Sequence, residues 1–170
     1  MDITQLILDD HHEQRKMFAQ LDEIDRDDTE SLGAIWTRLR TFLEVHAEAE
    51  EQIFYPRLLE VGDGAADAAD AEEETDDAIS DHNDIRTGIE EAERHDAGSP
   101  GWWQGVATTR EANSKHMAEE ERQALADLRQ HTDDTMRHEL GVAFAAFEAS
   151  HAGGVESVSK DPDEYIEEHN

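Results

Sequence analysis

Apolar residues recur at intervals of three and four along most of this chain, the spacing of amphipathic α-helices. We predict a first helix over residues 3–25 and a second that begins near Ser31. A third becomes clear from Ala78 onward, and a fourth follows Ser99 and Pro100, which suit an N-cap and a first-turn proline. The pattern therefore predicts an all-α protein.

Turn-like residues group the four helices into two pairs. The segments 27–31 and 98–101 lie within the pairs, and the break at 62–64 joins one pair to the other. Each pair can fold as an antiparallel hairpin, which gives an up-down four-helix bundle. A further helix is predicted to pack beside the bundle or against another subunit, and the acidic end of the chain has the composition of a mobile tail. The predicted boundaries are 1–131 for the bundle, 132–151 for the accessory helix and 152–170 for the tail.

One pattern of histidine and glutamate occurs twice. Each copy is a lone His and then, after 35 or 34 residues, a second His followed by a Glu four positions later. Both intervals have their midpoints in the predicted turns, so the two histidines of a hairpin meet at one height. The spacing of four puts each His and Glu on one helix face. The sequence thus predicts a buried metal site formed by six residues: His11, His46, Glu50, His82, His116 and Glu120.

Neighbouring residues offer alternatives to this set. His12 adjoins His11 but is rotated by about 100° around the helix. We therefore place His12 at the rim, with exchange of the two roles as the alternative. Glu51, Glu119 and Glu121 are expected on outer faces, because nothing in the pattern turns them inward.

The ligand types restrict the metal. Imidazole and carboxylate groups without thiolate suit iron, manganese or zinc, and the chain has no cysteine. Four His and two Glu exceed one tetrahedral zinc site and suit two octahedral ions bridged by the Glu carboxylates. A ferritin-like centre needs Glu-x-x-His on two helices, and that spacing occurs only at residues 148–151.

Acidic residues dominate the composition. Asp and Glu total 44 against 14 Lys and Arg, a formal net charge of −30. A nucleic-acid partner is disfavoured because phosphate binding needs a basic patch. No stretch approaches the roughly 20 apolar residues of a membrane span, and the first residues lack the basic region of a secretory signal. We expect a cytoplasmic protein of a salt-accumulating organism, where molar salt shortens the Debye length to about 3 Å.

The chain resembles the hemerythrin-like HHE cation-binding domain proteins over about residues 3–130. The resemblance rests on residues 10–13 (DHHE), 46–56 (HAEAEEQIFYP), 81–82 (DH) and 116–121 (HMAEEE). It implies an up-down bundle with a non-haem di-iron centre, oxo- or hydroxo-bridged, with the same six residues as ligands. It also implies binding of, or reaction with, oxygen, peroxide or nitric oxide.

One position departs from the family pattern. Oxygen-carrying hemerythrins have a second His one turn before the position of His82, and here that position is Ala78. A methyl group cannot ligate iron, so one iron would keep an exchangeable position, and we expect oxygen to be consumed rather than carried reversibly. Glu74 is the one nearby candidate for a substitute ligand. No dedicated enzyme activity is expected. An iron-dependent sensor or reservoir, a regulatory module, and a bundle with a relic site are the alternatives, and the accessory helix would suit a homodimer.

Overall fold

The computed structural model describes residues 1–169, and these residues form helices and connecting loops without any strand. The prediction of an all-α protein is confirmed. A five-residue π-helical segment, Glu50–Phe54, follows directly on the second helix. The α-helices are Ile3–Glu23 (α1), Thr29–Ala49 (α2), Tyr55–Val61 (α3), Ala71–Glu93 (α4), Pro100–Arg122 (α5), Ala124–His131 (α6), Asp134–Ser150 (α7) and Pro162–His169 (α8).

Capping side chains set the starts of α4 and α5. The predicted cap at Ser99 is confirmed, because its hydroxyl accepts a hydrogen bond from the Trp102 amide at 3.3 Å. The start of α4, which the acidic sequence left vague, is fixed by Asp70, whose carboxylate accepts from the Glu73 amide at 2.9 Å. In both cases a side-chain oxygen satisfies an amide that has no partner within the helix.

Helices α4 and α5 pack at close range because glycines face the opposite helix. A Cβ atom added at Gly88 would lie 2.6 Å from the Thr109 hydroxyl oxygen, and one at Gly105 would collide with the backbone of Ala92. The contact of residue 88 with 109 and of 105 with 92 also shows that the two helices run in opposite directions. Their closeness brings the middle of α4 against the C-terminal half of α5.

Gly105→Ala should therefore destabilise the protein by roughly 1–3 kcal/mol, the usual cost of forcing an extra carbon into a packed contact. Gly33→Ala is the matched control, since a Cβ there meets only the Ala97 Cβ at 3.6 Å. Alanine in that helix should stabilise by up to about 1 kcal/mol. Urea unfolding of both variants measures the difference, and changes of the same sign would show that close helix contact does not require Gly105.

Two apolar clusters lie on either side of one polar layer. Going along α1, the chain leaves the first cluster after Ile7 and enters the second at Met17; along α4 it does so between Ile79 and Ile85. The predicted histidine of each helix lies in the gap. Helix α2 crosses the layer in the opposite order, from Leu43 to Ala49, and α5 does so from Val106 toward Ala124 at the start of α6.

The C-terminal helices pack against the rest of the chain. Helix α7 lies against α1 and α2 and buries Phe144 completely. The structure differs from the expected mobile tail over residues 162–169, which form α8 and pack against α4 and α3. The reason is Tyr165, which is buried in the first apolar cluster, although the acidic residues around it hide this contact in the sequence pattern. Within residues 1–169, no helix is long and apolar enough to cross a membrane.

Candidate metal centre

The six predicted residues lie together in the polar layer between the two apolar clusters. The histidines come one each from α1, α2, α4 and α5, Glu50 begins the π-helical segment, and Glu120 lies near the end of α5. None of the six is more than 3% exposed. The six residues that the sequence spacing predicted at one level are therefore buried in the same layer of the bundle.

Glu50 connects the two helix pairs. Its Oε1 lies 2.8 Å from His46 Nε2, and its Oε2 lies 3.2 Å from His82 Nε2 and 3.6 Å from His116 Nε2. One carboxylate thus faces imidazoles of both pairs. This is the position that a bridging carboxylate would need.

Glu120 faces the other side of the layer. Its Oε2 lies 3.2 Å from His11 Nε2 and 3.9 Å from His116 Nε2. Ligand atoms of four residues, His11, Glu50, His116 and Glu120, all lie within 4.8 Å of one another. His46 and His82 lie outside that group of four; both contact Glu50, and His82 Nε2 also lies 3.2 Å from His116 Nε2.

Among the described residues, several ligand atoms in the layer are buried without a hydrogen bond and face one another only as His–carboxylate ion pairs. They are His11 Nε2, His46 Nε2, both carboxylate oxygens of Glu50 and Glu120 Oε2. Burying a polar atom without a partner costs about 1–3 kcal/mol, and a charged one more. A cation would satisfy all of them, and imidazole nitrogen with carboxylate oxygen is a donor set that suits iron, manganese or zinc. The residues present therefore fit a bound metal.

Three of the histidines are oriented from behind by carboxylates. Nδ1 of His11 lies 2.9 Å from Glu121, that of His46 lies 3.2 Å from Asp10, and that of His82 lies 2.7 Å from Glu51. Such partners fix the tautomer and the ring orientation of a ligating histidine. All three rings thereby direct Nε2 toward the interior of the layer.

The prediction that Glu51 lies on an outer face was wrong, since this residue is 1% exposed. Successive residues of an α-helix are about 100° apart, so a regular α-helix with Glu50 inside would turn Glu51 away from the layer. In the structure the Tyr55 amide instead bonds to the carbonyl of Glu50, five residues earlier. This wider π turn brings both glutamates inside, and π turns are frequent at functional sites. Glu121, also expected outside, is half-buried against His11.

The remaining position on an expected outer face, Glu119, is half-buried and lies 3.5 Å from Lys115. His12 is exposed, and its Nδ1 lies 2.7 Å from the carbonyl oxygen of Leu8. It takes no part in the polar layer, which agrees with its placement at the rim. The choice of His11 over His12 thus follows the geometry.

The model of the hemerythrin HHE cation-binding domain matches residues 2–128 of this chain. The chain belongs to that family. No curated protein and no solved structure matches it significantly. The matched range contains all six predicted residues and ends before α7 and α8, so those two helices are additions to the HHE domain.

A small cavity lies beside Ala78 at the edge of the polar layer. The cavity has a volume of about 10 Å³ and is lined by Ala78, Glu74, Tyr55, His116 and Glu120, among others. That is room for about one water molecule. At Ala78, where oxygen-carrying hemerythrins have a further histidine, this chain therefore has a cavity that borders the predicted ligands His116 and Glu120.

Tyr55 and Glu74 complete this side of the HHE centre, and the sequence argument missed the first of them. The buried Tyr55 hydroxyl donates to Glu120 Oε1 at 2.6 Å and so holds the carboxylate in place. Glu74 accepts from the Ala65 amide at 2.9 Å. Burial, with the nearby charge of Asp127, raises the pKa of Glu74 to about 7. The position of Tyr55 directly before Pro56, at the end of the HHE motif, was the available signal.

Charges inside the HHE domain are balanced in pairs. Burial alone would lower the pKa of His82, but the adjacent carboxylates of Glu50 and Glu51 raise that pKa to about 9. Burial alone would raise the pKa of Glu51, but the His82 hydrogen bond and the Arg86 charge lower it to about 2. A cation that binds between these groups must displace protons from the imidazoles, so its affinity falls as the pH falls.

Proposed function

We propose that this chain is a non-haem di-iron protein of the hemerythrin type that binds or reacts with oxygen, peroxide or nitric oxide. Its bundle is formed by α1, α2, α4 and α5 in up-down antiparallel order, as the alternating passage of these helices between the two apolar clusters supports. The observation that carries the proposal is a group of buried ligand atoms on His11, His46, Glu50 and Glu120 that make no hydrogen bond within the described residues.

Each predicted ligand has a separate task in this proposal. His46 and His11 belong to the first helix pair and His82 and His116 to the second, with Glu50 placed between the pairs. Glu120, held by the Tyr55 hydroxyl, is the second carboxylate. Bound iron would supply the electrons that the reduction of oxygen or peroxide requires. Zinc or manganese would suit the same donors in protein purified without iron.

The Ala78 cavity favours consumption of oxygen over reversible carriage. It offers space for one exogenous molecule between Tyr55, His116 and Glu120, where a reversible carrier would have a protein ligand. The chain's residues exclude bulk water from the layer but keep this one position exchangeable. Glu74 borders the cavity and could supply a substitute carboxylate.

Metal analysis of protein purified at high salt should find about two iron ions per chain, since Glu50 faces histidines of both helix pairs and could be shared between two ions. The reduced protein, mixed once with oxygen in a stopped-flow instrument, should consume the oxygen and be oxidised to the ferric form. One iron per chain or less after anaerobic loading with ferrous iron would contradict the di-iron proposal. Oxygen that is recovered quantitatively under vacuum would show reversible carriage instead.

An iron-dependent sensor or reservoir is the second candidate. The observation that favours it is the contact of the C-terminal residues with Glu51, which links a segment outside the HHE domain to the metal centre. Ferrous iron that stays unoxidised in air for hours would support this reading over the first.

The setting of the protein is part of the proposal. The net charge of −30 favours the cytoplasm of a salt-accumulating organism and disfavours nucleic acid as a partner. Val142, on the accessory helix α7, is 48% exposed, and a homodimer would cover it.

A further inference from the structure

Glu51 is held by a segment that lies outside the matched domain. Its side chain is fully buried, and its Oε1 accepts hydrogen bonds from His82 Nδ1 and Arg86 Nη2, each at 2.7 Å. Its Oε2 forms an ion pair with Lys160. Of the three lysines in the chain, this one reaches the interior beside the metal centre.

The backbone at Lys160 is fixed to α4. The Asn83 side-chain amide donates to the Lys160 carbonyl oxygen at 2.7 Å, and its oxygen accepts from the Lys160 amide at 3.1 Å. The Ser157 hydroxyl accepts from Arg86 Nε at 3.1 Å. Asn83 is the next residue after His82 on α4 and Arg86 lies one turn further along, so the segment lies over the helix that provides this histidine.

Helix α8 adds a second connection to the same glutamate. The hydroxyl of Tyr165 donates to the backbone carbonyl of Glu51, and the Tyr165 ring is buried. Residues 157–169, which we term the C-terminal strap, therefore contact Glu51 twice. The ammonium of Lys160 meets its carboxylate, and the phenol of Tyr165 meets its main chain.

We propose that the C-terminal strap positions the metal centre, with Lys160 acting through Glu51 on the ring of His82. The inference rests on the proposed metal function. Since Ala78 stands where relatives have another histidine, His82 is the single imidazole that α4 supplies, and its orientation depends on Glu51. Without Lys160, Glu51 Oε2 would be a buried carboxylate oxygen with no cation beside it, and Arg86 on Oε1 would be the remaining charge partner. The carboxylate would then turn toward Arg86 or other donors, away from its present position against His82.

Lys160→Met tests this inference, because it keeps the aliphatic length and removes the ammonium. The full-length, iron-loaded protein is mixed with excess EDTA at fixed KCl concentration, and iron release is followed by absorbance. Removing the outer partner of a ligating histidine typically costs about 10–100-fold in metal affinity. Lys160→Met leaves that partner, Glu51, in place but loosens it, so release should be faster by about 10-fold, the lower end of that range. Lys160→Arg should restore most of the retention, and the absorption spectrum of the iron centre should shift in Lys160→Met alone.

Lys16→Met is the matched control, since this lysine is exposed and pairs only with Glu13 on the surface of α1. It should release iron at the wild-type rate. Equal release rates in Lys160→Met and Lys16→Met would overturn the role of the strap. If Lys160→Met loses helix content by circular dichroism, Tyr165→Phe decides, and wild-type release from that variant would overturn the proposal.

The wild-type metal content separates this inference from the proposed function. Two irons in the wild type, with unchanged release from Lys160→Met, would refute the strap and leave the di-iron proposal standing. A wild type that binds no iron would refute both. Faster release with an altered spectrum and rescue by arginine supports both.

Discussion

Replacing His116 or His46 by alanine should remove most of the iron from the purified protein. His116 is 3% exposed, and its Nε2 lies 3.2 Å from His82 Nε2 and 3.6 Å from Glu50 Oε2, in the middle of the predicted ligand set. Its loss removes an imidazole, and Ala78, which lines the adjacent cavity, offers no side chain that could ligate iron in its place. Because the residue is a proposed ligand rather than an outer partner, the affinity should fall by more than the roughly 10–100-fold cost of outer substitutions.

His95→Ala and His138→Ala are the controls for this experiment. Both residues are exposed, and both lie outside the polar layer. The iron content of all four variants, measured after identical anaerobic loading and desalting, should separate into two groups. If the four proteins retained the same amount of iron, the ligand assignment would be wrong.

Raising the salt concentration should stabilise the protein strongly. A chain with 44 acidic and 14 basic residues repels itself when it is unscreened, and molar KCl shortens the range of that repulsion to about 3 Å. For a protein of this size, about 1 kcal/mol of stability shifts the melting midpoint by roughly 2–4 °C. We expect the midpoint, followed by circular dichroism, to rise by at least about 10 °C between dilute buffer and molar KCl.

The salt effect must be separated from metal binding and from general preferential exclusion. Metal-free protein in the presence of a chelator removes the first contribution. Sucrose, which strengthens burial without screening charge, measures the second. A midpoint that is the same in dilute buffer and in KCl would refute the halophilic interpretation, and an equal rise in sucrose would show that screening is not its cause.

The sequence was informative where spacing alone determines geometry. Two His intervals of 35 and 34 residues, centred on turns, were enough to bring the four histidines to one level, because helix rise is uniform and the loops are short. Glu50 and Glu120 followed from their spacing of four. Glu51 was expected outside because no spacing linked it to a histidine, and the π turn at that point brings it inside.

The contacts across the sequence were not accessible in this way. Tyr55 and Lys160 reach the centre through contacts between segments that are distant along the chain, and no periodicity relates residue 160 to residue 51. The acidic residues around Tyr165 had the composition of a tail, yet one buried tyrosine and one backbone clamp at Asn83 fix this segment. Composition describes the average of a segment, whereas packing depends on single side chains.

The C-terminal strap has a thermodynamic consequence in the reverse direction. Coupling between two binding events is reciprocal, so a strap that raises the iron affinity by some factor is itself bound more tightly, by the same factor, when iron is present. Loss of iron would then increase the fraction of molecules in which residues 157–169 are detached from α4. The occupancy of a buried centre would in this way become readable at the surface, as exposure of a peptide that begins beyond the HHE domain.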